Sequence, residues 1–101
     1  MKKAFNNWKH NAIHLTFPNG NALSTIWGYG SYSDNYNRDD IPNLDKRFNT
    51  FFSSNTVEIM ILQAPKKLVE KIHKKFNAED SSVIGRLSMT DWLWIVKQLS
   101  K

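Results

Sequence analysis

Cysteine is absent from all 101 residues, which excludes a disulfide framework and any thiolate-ligated metal site. Stability has to come from packing, and the composition fits a reducing cytoplasm. No apolar run approaches the ~20 residues that a membrane span needs. Met1-Lys2-Lys3 leads into Ala4-Phe5-Asn6-Asn7-Trp8 and not into the apolar core of a signal peptide. A soluble, unexported protein with no membrane partner is therefore expected. Arginine is scarce, occurring only at Arg38, Arg47 and Arg86, so reading of base edges in a DNA groove is poorly supplied.

A catalytic constellation is missing as well. None of His10, His14 and His73 is partnered at sequence level with a nucleophile, a carboxylate or a second histidine at ligand spacing. Strand alternation puts His14 with Thr16 on the face opposite Ile13 and Leu15, where it would either meet a substrate or simply stand half-exposed. His73 falls on a lysine-rich helix face and is expected to be solvated. Asp34, Asp39, Asp40 and Asp45 fit no calcium-loop spacing, and Arg38, Lys46 and Arg47 are interleaved as ion-pair partners. Gly28 and Gly30 fail as a phosphate loop, because no lysine-serine or lysine-threonine pair follows them. No metal or cofactor is expected, and the chain is read as non-enzymatic.

The apolar share of 41% and charged share of 23% suit one folded domain spanning 1–101. Ile13, Leu15 and Phe17 alternate with polar residues, Pro18-Asn19-Gly20-Asn21 turns the chain, and Leu23 to Trp27 resumes a β-prone run. This pattern predicts a β-hairpin. Val57, Ile59 and Ile61 against Glu58 and Met60 predict a core strand, opened by the turn-prone Ser53-Ser54-Asn55. Phe5 and Trp8, one helical turn apart, suggest a short amphipathic helix or arm within 1–11. A helix starting at Ala64-Pro65 carries Leu68, Val69, Ile72 and Phe76 on one stripe. Val83 to Leu87 predicts a short strand in which Gly85 marks a bulge or close packing. Ser88 or Thr90 would cap a last helix, with Asp91 in its first turn and Trp92, Leu93, Ile95, Val96 and Leu99 burying most of it. The expected fold is α+β: an antiparallel sheet of a hairpin, a central strand and a short further strand, packed mainly on one face by two C-terminal helices.

All three tyrosines fall between Ile26 and Tyr36, in the run Ile26-Trp27-Gly28-Tyr29-Gly30-Ser31-Tyr32-Ser33-Asp34-Asn35-Tyr36. This run enters a segment without sustained periodicity, a long organised loop over 29–55, and such connections are usually functional or hold undetected elements. Trp27, Tyr29, Tyr32, Asn35, Tyr36 and Asn55 are accordingly the candidate contact residues for a partner protein or a small planar ligand. The plainer alternative is that Trp27 ends a strand in the core and the tyrosines fold back over the sheet edge.

A second candidate surface comes from the net charge of +5 and the lysines of the first long helix. Lys66, Lys67, Lys71, Lys74 and Lys75 would attract phosphates while loop aromatics stack on unpaired bases, giving a nucleic-acid-binding module. A lysine-covered outer face is also an ordinary way of keeping a helix soluble.

The blocks "STIWGYGSYSDNY" at 24–36 and "SSNTVEIMIL" at 53–62 resemble a pattern of small uncharacterised bacteriophage and prophage proteins. In that pattern a tryptophan-glycine, glycine, tyrosine, asparagine block precedes a strand of the S-N-T-V-E-I kind, and the resemblance covers the central half of the chain. It implies an accessory protein that binds and redirects a host protein, a role that includes host-defence inhibitors such as anti-CRISPR proteins. The positive charge counts against DNA mimicry and leaves steric blocking or sequestration of a nucleotide signal. A symmetric homodimer through a strand edge or the last helix stays open.

Overall fold

The computed structural model describes residues 5–6, 12–27, 33 and 53–101. The described elements are β1 (Phe5–Asn6), β2 (Ala12–Thr16), β3 (Ala22–Ile26), β4 (Ser53–Ser54), β5 (Val57–Gln63), α1 (Lys66–Lys75), β6 (Ile84–Leu87) and α2 (Met89–Leu99). Four strands form one antiparallel sheet in the order β2-β3-β5-β6, and β1 pairs separately with β4. This is the expected α+β arrangement. Phe5 and Asn6 are extended where the Phe5/Trp8 spacing suggests helix, because they find a ladder partner in Ser53–Ser54, residues whose composition reads only as turn. Trp8 lies outside the described residues.

The sheet sorts its side chains by the two-residue period of a strand. Ile13, Thr25, Ile59 and Ile84 form one cross-strand row, and Leu15, Leu23 and Ile61 form the next. Leu23, Thr25, Val57, Ile59, Ile84 and Leu87 are all buried, and Ile72 of α1 with Ile95 and Leu99 of α2 close over them. The opposite face carries the row His14, Ser24, Met60, in which His14 and Met60 are exposed. Thr25 is tolerated in the core because its Oγ1 accepts a hydrogen bond from Nε1–H of Trp92 at 2.9 Å.

Two irregularities interrupt the ladder. From Leu23 to Ala22 the partner strand advances from Ile61 to Gln63, so Leu62 is an extra residue and stands exposed. From Val57 to Ile59 the partner runs from Leu87 back to Ile84, so the extra residue lies on β6. The left-handed conformation there belongs to Arg86, at φ 53°, one position after Gly85, which the sequence marks as a bulge or close packing.

The helices begin and end for identifiable reasons. Ser88 caps α2 and Asp91 answers it, each side chain bonding the other's backbone N–H, so of the two candidate caps Ser88 is the one used. Leu93 of α2 remains 52% exposed, so this helix buries a stripe of its surface and not most of it. At the end of α1, Asn77 adopts φ 54°, while the N–H groups of Asn77 and Ala78 donate to the carbonyls of Lys74 and His73. That is a Schellman ending with asparagine in the glycine position.

Candidate functional site

Of the candidate contact residues, Tyr29, Tyr32, Asn35 and Tyr36 lie outside the described residues. Trp27 is 1% exposed and belongs to the core, so its ring cannot serve as a surface contact. The hydrophobic row that ends β3 continues one position further than the strand, and an indole there is large enough to close that end of the core. Asn55 is exposed in the short link between β4 and β5.

The aromatic run nevertheless has two fixed points. Trp27 is one, and Ser33 is the other: it is fully buried, and its carbonyl oxygen accepts a hydrogen bond from Nη1 of Arg86 at 3.2 Å. Tyr29 and Tyr32 fall between these points in the sequence. The bulge on β6 thus has a positional consequence, since it aims Arg86 at Ser33. Nothing in the sequence links positions 33 and 86, and the scarcity of arginine is the only hint that this one is specialised.

The five lysines of α1 do not act as one group. Lys75 Nζ lies 4.6 Å from the centroid of the Trp94 ring and Lys71 Nζ lies 5.9 Å from it. Phe76 meets the same indole edge to face at 6.1 Å. Lys71 also donates to Oε1 of the buried Gln98 at 3.3 Å, an acceptor it shares with Lys101 at 3.4 Å. These cations are committed to the seam between α1 and α2, where indole faces attract ammonium groups. Lys66, Lys67 and Lys74 are exposed, with no ion pair or ring contact among the described residues.

His73 departs most from its expected setting. It is 7% exposed, and Nδ1 lies 2.8 Å from the carbonyl oxygen of Ala78. One helical turn after Val69, it is only about 40° round the helix from that apolar position. Its placement on the buried margin of α1 therefore follows from spacing, although its residue type reads as polar surface. His14 is exposed on the face of the sheet opposite the core rows.

Among the described residues no group of three or more histidine, aspartate or glutamate side chains is gathered as a metal site, and no helix is long and apolar enough to cross a membrane. Compared with protein-family models, curated proteins and solved structures, the chain matches none.

Proposed function

We propose that the protein is a non-enzymatic accessory protein of a phage or mobile element, which binds a host protein in the bacterial cytoplasm and blocks or redirects it. A host-defence inhibitor of the anti-CRISPR kind is one such role. The observation that carries the reading is the pair of buried anchors, Trp27 and Ser33, on either side of Tyr29 and Tyr32. Fixing both ends of a short aromatic run lowers the entropy lost on docking, and tyrosine buries much area with only two side-chain torsions. The resemblance to phage proteins supplies the context, and the net charge of +5 favours steric blocking over mimicry of nucleic acid.

The test is affinity capture on immobilised protein from a nuclease-treated bacterial lysate. Wild type should retain a protein that a folded Tyr29→Ala/Tyr32→Ala variant releases. Identical retention by both, or retention of nothing by either, counts against the reading.

A second reading rests on a different observation. Trp94 and Phe76 beside Lys71 and Lys75 form an aromatic and cationic seam, flanked by the exposed Lys67 and Lys74. Such a surface suits single-stranded nucleic acid, whose bases stack while its phosphates are neutralised. Fluorescence anisotropy with a labelled oligonucleotide at low salt would detect it, and the absence of binding there would end this reading.

A further inference from the structure

β5 continues for four residues, Met60 to Gln63, beyond its last rung with β6 at Ile59 and Ile84. To extend that ladder the chain before Ile84 would have to run alongside as Val83, Ser82 and Ser81. It leaves the sheet instead, and a cleft of about 560 Å³ opens between β5, α1 and the α1–β6 connection. That volume lies within the range of roughly 300–1,000 Å³ typical of small-molecule sites.

The lining restricts what fits. Ile61 and Val69 make an apolar floor, and Met60 borders the cleft at the strand edge. Glu70 and Glu79 stand on the rim with a single cation, Lys74, and neither carboxylate is ion-paired among the described residues. In a protein of net charge +5 this patch is locally acidic. His73 also lines the cleft, and it is more than nine-tenths buried. Since the Ala78 carbonyl can only accept, Nδ1 carries the hydrogen, which leaves Nε2 of the neutral ring as an acceptor. Nε2 has no hydrogen-bond partner among the described residues. No fully buried side-chain nitrogen or oxygen among them lacks a partner, so Nε2 is accessible, and the cleft is the space His73 borders. Holding Ala78 needs one ring nitrogen; the other is open to a ligand.

We infer that this cleft binds a small organic cation. Its apolar body rests on Ile61 and Val69, an N–H group donates to Nε2 of His73, and its positive charge faces Glu70 and Glu79. The two carboxylates repel phosphates, and the cleft stands independently of the partner-binding reading.

Tryptamine, an indole bearing a primary ammonium group, is a suitable probe, titrated into the ¹⁵N-labelled intact protein and followed by amide and imidazole NMR shifts. Shifts should gather at Met60, Ile61, Val69, His73, Ser81 and Ser82, and the His73 Nε2 resonance should move with them. Indole-3-acetate, the same ring with a carboxylate, should bind at least about tenfold more weakly, and Glu70→Gln/Glu79→Gln should narrow that difference. His73→Asn keeps an N–H donor for Ala78 and removes Nε2, so it should weaken tryptamine about five- to tenfold, the worth of one hydrogen bond. Should that variant fail to fold, the Nε2 shift of the wild type decides. A stationary Nε2 resonance, shifts gathered elsewhere, equal binding of the anion, or no binding at millimolar tryptamine would each overturn the inference.

Discussion

Arg86 holds a left-handed conformation, φ 53°, where a side chain's Cβ crowds the following carbonyl and costs about 1–2 kcal/mol relative to glycine. The bulge on β6 and the bond to Ser33 are what keep it there. Arg86→Gly and Arg86→Ala both delete the guanidinium, but only alanine retains the strain. Arg86→Gly should therefore be the more stable of the two by about 1 kcal/mol in urea unfolding. Equal midpoints would mean that backbone strain at this position is negligible. A bulge near Gly85 is legible in the sequence, but its left-handed residue lies one position further on. A single chain without its partner strand gives no way to tell which of two neighbours turns. His73 is a similar case, where the 3.6-residue period indicates burial and the chemistry of the side chain argues against it.

Helix α2 illustrates which parts of an element can be read locally. Its N-terminal box pairs Ser88 with Asp91, three positions on, and is visible in the sequence. Its C-terminal carbonyls are satisfied from the hairpin turn: Nδ2 of Asn19 donates to Leu99 O at 2.8 Å and Lys101 O at 2.7 Å, and Nδ2 of Asn21 donates to Leu99 O at 2.8 Å. Those asparagines read as turn formers, which they also are, with Asn19 Oδ1 accepting from Asn21 N at 2.9 Å. Hydrogen bonds across 78 to 82 residues leave no local mark. Because both amides share the Leu99 carbonyl, Asn19→Ala and Asn21→Ala should each cost about 1 kcal/mol. The double variant, which leaves that carbonyl with neither amide, should cost more than the sum, by about 0.5 kcal/mol or more in a double-mutant cycle. Strict additivity would show that the two amides act separately. The hairpin, the central strand and the two helices are all legible, since each carries its own period. The pairing of Phe5–Asn6 with Ser53–Ser54 is not, because two-residue strands have no period to detect.

At the scale of the whole molecule, the basic charge resolves into two populations. Lys71 and Lys75 secure the α1–α2 seam through Trp94 and Gln98, whereas Lys66, Lys67 and Lys74 face outward. If single-stranded nucleic acid is bound, replacing those three with glutamine should flatten the slope of log affinity against log salt by about 2, from roughly 0.7 for each phosphate no longer neutralised. An unchanged slope would remove the outward lysines from any such interface. Of the candidate site, the concentration of aromatics near one strand exit is plain from the sequence. That Trp27 is spent on the core and that Ser33 is tied to Arg86 are not, because both depend on the folded arrangement of distant strands.

If the tyrosines between those anchors carry the interaction, they and not the helix lysines should decide what the protein retains. Capture from a nuclease-treated bacterial lysate should be run in parallel on three folded proteins: wild type, Tyr29→Ala/Tyr32→Ala and Lys67→Gln/Lys74→Gln. Wild type and the lysine variant should retain the same host protein, and the tyrosine variant should lose it. Retention of that protein by the tyrosine variant, or its loss only from the lysine variant, would show that the aromatic run is not the interface.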